Sequence, residues 1–180
     1  MELDNKLYND YFEGEDEAFD FLYKKYKEKI KYFIYNIVHD YQKAEDLTQE
    51  TFIYVMQNKT KGNCNFKYYI YLKAKCLALT SLNTESRRNK IRELYLFNDN
   101  EQNEKDVLES ILNEENKKEL IEAINCLDEK YRNVIYLTKI EGLSYLDTSK
   151  ILGESIENIK QIVHRGKIQL RKILIKKGFD

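Results

Sequence analysis

The segment 144-SYLDTSKILGESIENIKQIVHRGKIQLRKIL-174 carries its own punctuation. Ser144 and Asp147 have the Ser-x-x-Asp spacing that closes a helix N-terminus, Gly153 supplies the left-handed residue that stops it, and Ser155 opens another helix. A short helix, a tight turn and a longer helix make a helix-turn-helix, whose second helix enters the DNA major groove near its N-terminal end. In that helix Ile156, Ile159, Val163 and Leu170 form an apolar seam, while Glu157, Asn158, Lys160, Gln161, His164 and Arg165 point elsewhere. Asn, Gln, Lys and Arg are the side chains that pair with base edges. Lys167, Arg171 and Lys172 suit phosphates. Between Ile159 and Phe179 there are seven Lys or Arg and no Asp or Glu. A basic terminal helix can simply be solvated, but the capped turn and its spacing favour duplex DNA.

Outward from this end the charge alternates. Residues 117–180 carry net +4, residues 93–116 net −7, residues 83–92 net +3 and residues 1–82 net −1, giving −1 for all 180 residues. The acidic, Asn- and Gln-rich stretch reads as a linker. With no proline and 34% charged residues, the chain is expected to be all-α: two small helical domains, 1–92 and 117–180, joined by the acidic linker 93–116.

The N-terminal half reads as three helices. Phe19, Leu22, Tyr23, Tyr26, Ile30, Phe33, Ile34, Ile37 and Val38 recur at three- and four-residue spacing, and Asp40 can cap the next helix. In that second helix Ala44, Leu47, Thr48, Thr51, Phe52 and Val55 can face inward, leaving Asp46, Gln49, Glu50 and Ile53 together on the other side. The stripe is either a solvated face or a binding face. After a turn at 61–65, the third helix interleaves Phe66, Tyr68, Tyr69 and Tyr71 with Lys67, Lys73 and Lys75, and leads to Arg87 and Arg88. Rings that stack on unpaired bases and cations that track phosphates suit single-stranded nucleic acid; the alternative is a helical core.

Other classes find little support. No apolar run approaches the ~20 residues of a membrane span, and the acidic N-terminus lacks a signal-peptide pattern, so the cytoplasm is the expected location. Cys64, Cys76 and Cys126 form no CxxC pair, and with only His39 and His164 beside them no zinc site is expected. There is no glycine-rich phosphate loop and no catalytic motif, so neither a cofactor nor enzymatic activity is expected.

Three ordered blocks resemble the bacterial sigma-70 superfamily, in its two-domain extracytoplasmic-function class: AEDLTQETF (44–52), FKYYIYLKAKCLAL (66–79), and 127–171, which contains the helix-turn-helix. The resemblance implies a transcription initiation factor. Asp46, Gln49, Glu50 and Ile53 would meet the β′ clamp helices of core RNA polymerase. Phe66, Tyr69, Lys73, Lys75, Cys76, Thr80, Arg87 and Arg88 would meet the promoter −10 element. Ser155, Asn158, Lys160, Gln161, His164, Arg165 and Lys167 would meet the −35 element. Core polymerase and promoter DNA are the implied partners, with an anti-sigma factor as a further candidate. Departures from the family pattern bear on promoter sequence: Tyr69 replaces a usual Trp, Cys76 an Asn, Thr80 an Asp, Ile162 an Arg and Gly166 an Ala. Glu157 would repel phosphate, although an acid can accept from cytosine N4. The rival reading is a one-component helix-turn-helix regulator that does not bind polymerase, with 1–92 as an effector or dimerisation domain.

Overall fold

The computed structural model describes residues 2–59, 65–93 and 115–176, with side chains over 3–59, 65–86 and 120–176. The helices are α1 (Glu2–Phe12), α2 (Asp16–Val38), α3 (Tyr41–Gln57), α4 (Phe66–Glu93), α5 (Glu115–Asn125), α6 (Glu129–Ile135), α7 (Tyr145–Leu152) and α8 (Ile156–Lys176), and a π-helical turn (Tyr136–Ile140) succeeds α6. No strand occurs among the described residues. The chain divides into two units, Met1–Val107 and Leu108–Asp180. The expected turn lies outside the described residues except at Asn65, as do Cys64, the linker from 94 to 114, the side chains of Arg87 and Arg88, and Lys177.

In the first unit α2 packs against α1, α3 and α4. Its stripe of Phe19, Leu22, Tyr26, Ile30, Phe33, Ile34 and Val38 is buried. The core is aromatic: Phe33 meets Tyr71 at 5.2 Å between centroids, edge to face, and Tyr23 meets Phe52 at 4.8 Å. α3 turns inward the six side chains that its spacing selected. Thr48 and Thr51 donate to the carbonyls of Ala44 and Leu47, each at 2.7 Å, so their burial leaves no orphan hydroxyl. Between the two helices His39 adopts φ 53° and donates its N–H to Tyr35, and Asp40 accepts the Lys43 N–H at 3.0 Å.

Helix α1 was not among the three helices expected in the N-terminal half. Its inward positions are Asp4 and Tyr8, both 2% exposed, whereas Leu3 is 63% exposed. The Asp4 carboxylate accepts from Lys25 Nζ and, at 2.8 Å, from the Tyr26 hydroxyl. Burial pushes this carboxyl up, but the bonds from Lys25 and Tyr26 and the Lys25 charge outweigh it and leave the group below its ordinary value. A group depressed on folding stabilises above its unfolded pKa, and that contribution is lost as pH falls through the folded value. Asp4→Asn should lower stability by on the order of 1–3 kcal/mol near neutrality. The gap to wild type should narrow in thermal melts taken from about pH 6 down to about pH 3, and a gap independent of pH contradicts this.

Two apolar clusters occur among the described residues of the second unit. Ile124, Leu127 and Ile135 gather Leu120, Tyr131, Leu170 and Ile173; Val134, Ile159 and Val163 gather Tyr145, Leu152 and Ile162. Asp128 stands at the N-cap of α6, but its side chain makes no capping bond. The junction is held instead by Arg132, whose Nη2 donates to the carbonyls of Asn125 at 2.9 Å and Leu127 at 3.3 Å.

Gly166 is buried where α8 approaches α6. A Cβ there would lie 2.9 Å from Ile135 Cγ1 and 3.3 Å from Tyr131 Cβ. Gly166→Val should therefore destabilise the unit by about 2 kcal/mol through overpacking. Gly166→Ala gains about 1 kcal/mol of helix propensity against a smaller clash and should fall nearer neutral. Thermal melts decide; a Val variant as stable as wild type contradicts the close approach.

Candidate protein and nucleic-acid interfaces

The outward face of α3 is set by its inward one. Because Ala44, Leu47, Thr48, Thr51, Phe52 and Val55 are buried, Asp46, Gln49, Glu50 and Ile53 are left exposed on a single stripe. Ile53 is 53% exposed, and Tyr54 and Met56, which the helical spacing did not single out, extend its apolar end at 37% each. The signal was available: three large apolar residues flank the buried Val55. The stripe thus runs from acid to apolar, a surface able to combine a charge-complementary rim with an apolar anchor. Lys73 of α4 places its Nζ 3.4 Å from the centroid of the Tyr54 ring, and Lys43 pairs with Glu85, so α3 and α4 are joined across their polar sides.

Along α4, Tyr69, Lys73, Cys76 and Thr80 are spaced by four, three and four residues and fall on one side of the helix. Cys76 and Thr80 are exposed, and Leu79 adds an apolar side chain at 41% exposure. Lys75 projects from a different side. Phe66 does not belong to this face: it is fully buried, with its ring 4.9 Å from Tyr8 and 5.5 Å from Tyr26. Tyr71 is likewise core. Interleaving of rings and lysines could not separate inward from outward rings, because both kinds are aromatic here. Tyr69 is half-buried and donates its hydroxyl to the Asn58 carbonyl at 2.9 Å. The Thr80 hydroxyl donates to Cys76 O at 2.8 Å.

The helix-turn-helix is built as its caps require. Ser144 Oγ accepts the Asp147 N–H at 3.0 Å and donates to Asp147 Oδ2 at 2.7 Å. Gly153 ends α7 at φ 72°, and Ser155 Oγ accepts the Asn158 N–H at 3.1 Å. Ile159 and Val163 are buried, which turns Ser155, Lys160, Gln161, His164, Arg165 and Lys167 to the exposed side. Two lines run along α8: Lys160, Lys167 and Arg171 form a purely basic one, and Gln161, Arg165 and Lys172 form a mixed one. Asn158 is half-buried and donates Nδ2 to Glu154 Oε2 at 2.7 Å. Ile162 packs against the Val134–Ile159–Val163 cluster, serving the core.

Among the described residues, no group of His, Cys, Asp or Glu could hold a metal ion. No helix among them is long and apolar enough to cross a membrane. Cys76 and Cys126 are free and exposed.

Both units match known families. Residues 22–88 match the family described as Sigma-70 region 2, and residues 117–170 match Sigma-70, region 4. The RNA polymerase sigma-H factor of Pseudomonas aeruginosa is 28% identical over 97% of this chain and 95% of its own. The ECF RNA polymerase sigma factor SigW of Bacillus subtilis is 29% identical over 89% of this chain and 91% of its own. In fold, the chain resembles the sigma factor RpoE in a complex with the anti-sigma factor NepR from Bartonella quintana. That match has a TM-score of 0.61 at 20% identity and covers 87% of this chain and 96% of that one. CnrH, solved in complex with the cytosolic domain of CnrY, gives 0.58 at 20% identity over 97% and 98%. With regions 2 and 4 present in order, and with relatives of this kind matched along nearly their whole length, the chain belongs to the extracytoplasmic-function class of the sigma-70 superfamily of RNA polymerase sigma factors.

Proposed function

We propose that this sigma factor binds core RNA polymerase through Asp46, Gln49, Glu50 and Ile53 of α3, meets the −10 element with Tyr69, Lys73, Cys76 and Thr80 of α4, and seats α8 at the −35 element through Lys160, Gln161, His164 and Arg165. Lys75, Arg87 and Arg88 add phosphate contacts near −10, Lys167 does so near −35, and Ser155 and Asn158 open the recognition helix. Residues 1–92 and 117–180 are the two binding domains, and the acidic segment 93–116 connects them. The chain performs no chemistry of its own: it positions polymerase and holds unpaired bases, and it works in the cytoplasm.

The observation that supports this best is the amphipathic division of α3, which leaves an acid-to-apolar stripe exposed on the unit that matches region 2. The balanced charge fits as well. Basic helices suit DNA, acidic surfaces suit a basic protein partner, and a net charge of −1 limits unspecific binding of the free protein to DNA. The two structural relatives were solved with partner proteins, one of them named an anti-sigma factor, and this supports an anti-sigma factor as a regulator here too. Titrating a fluorescently labelled chain with core polymerase in gentle salt should give saturable binding; no affinity would leave a DNA-binding fold without this task.

A further inference from the structure

α1 ends before residue 22, where the region 2 match begins, and neither proposed face of the first unit uses it. It nevertheless touches each of the next three helices. Asp4 holds α2 through Lys25 and Tyr26. Asn5 Oδ1 accepts the N–H of Phe66, the first residue of α4, at 2.8 Å. The Tyr8 hydroxyl lies 2.9 Å from the Val55 carbonyl and 3.0 Å from the Asn58 carbonyl, at the end of α3. Its ring packs 4.9 Å from Phe66 and 6.4 Å from Tyr69. The Asn58 carbonyl also receives the Tyr69 hydroxyl, at 2.9 Å.

These contacts have a common logic. Helix ends leave carbonyls unpaired at the C-terminus and N–H groups unpaired at the N-terminus. Here the last carbonyls of α3 and the first N–H of α4 are both met from α1, so α1 ties together the two ends of the α3–α4 connection. Two phenols converge on one carbonyl, one from α1 and one from the proposed −10 face. Tyr8 is 2% exposed and reaches neither polymerase nor DNA. Any effect it has on promoter opening must pass through α3 and α4.

We propose that α1 is a clip and Tyr8 a positioning residue, setting the orientation of the Tyr69 ring and the first turn of α4 relative to the docking stripe on α3. This rests on the reading of α3 as the polymerase-docking helix and of α4 as the −10 helix. Tyr8→Phe removes the hydroxyl and keeps the packed ring, so the unit still folds. Asn5→Ala with Tyr8→Phe releases both ends of the connection, and thermal melts identify an assay temperature at which every variant is folded.

The test uses the full chain, core polymerase and a promoter duplex selected with the wild-type holoenzyme, carrying 2-aminopurine in its −10 element. The wild type should bind core and raise the fluorescence. Tyr8→Phe should bind core within about twofold of wild type, while the opened fraction at saturating core falls about fivefold, and further in the double variant. The core variant Ile34→Val, which loses packing but no clip contact, should leave both readouts within about twofold. The clip is overturned if the double variant opens the promoter like wild type, or if core affinity falls in step with opening. A wild type that neither binds core nor raises fluorescence overturns the underlying reading instead.

Discussion

Asp46→Lys combined with Glu50→Lys should weaken binding to core polymerase by about a hundredfold, and the corresponding alanine pair by about thirtyfold. Both carboxylates stand one turn apart on the exposed stripe of α3. Removing them forfeits charge complementarity, whereas reversing them sets like charges against a basic partner. Neither change touches the buried side of α3, so the melting temperature should move little. The loss should shrink as salt rises, because the exposed part of the interaction is screened within about 10 Å at 0.1 M. Glu13→Ala, an exposed acid between α1 and α2, is the matched control and should bind as wild type. Fluorescence titration with core polymerase checks all four proteins. Equal affinity for the wild type and the lysine pair would remove the docking face from this helix.

The second large effect lies at the other end of the chain. Lys160→Ala, Gln161→Ala and Arg165→Ala together should reduce discrimination between a cognate −35 element and a scrambled one by about a thousandfold, since each good base-edge contact contributes roughly 1–3 kcal/mol. Core binding should stay unchanged. Lys167→Ala and Arg171→Ala, on the basic line of α8, should instead weaken all sequences alike and lower the salt slope by about one each. Anisotropy titrations of holoenzyme on matched and scrambled fragments across a salt series distinguish the two classes. A triple variant that still discriminates would mean that α8 reads the promoter with other side chains.

How far each feature was legible in the sequence depends on the kind of signal it leaves. The α3 partition was legible because its inward set is apolar or threonine at helical spacing and its outward set mostly polar. The caps of the helix-turn-helix were legible because Ser144, Gly153 and Ser155 act on their own neighbours, within a few residues. Features that depend on distant partners left no local trace. Asp4 faces inward because Lys25 and Tyr26 receive it from another helix, which no local pattern records. Phe66 joins the core because α1 and α2 supply Tyr8 and Tyr26, whereas Tyr69, three residues on, is only half-buried. Asp128 has the right residue type for a cap, yet the α5–α6 junction is held by Arg132. The demand for glycine at 166 became visible only once Ile135 stood opposite it. Site composition was thus easier to read than site membership: residue type suggests what a side chain can bind, but packing decides whether it reaches the surface.

Run-off transcription offers the plainest test of whether this chain gives polymerase its promoter. Core enzyme alone, core with wild-type chain, and core with the Asp46→Lys, Glu50→Lys chain are each given nucleotides and a linear template bearing the selected promoter. A defined transcript beginning just downstream of the −10 element should appear only with the wild-type chain. A template on which the wild-type chain adds nothing to the output of core enzyme, although the chain is folded and bound to core, would contradict its assignment as the promoter-selecting subunit.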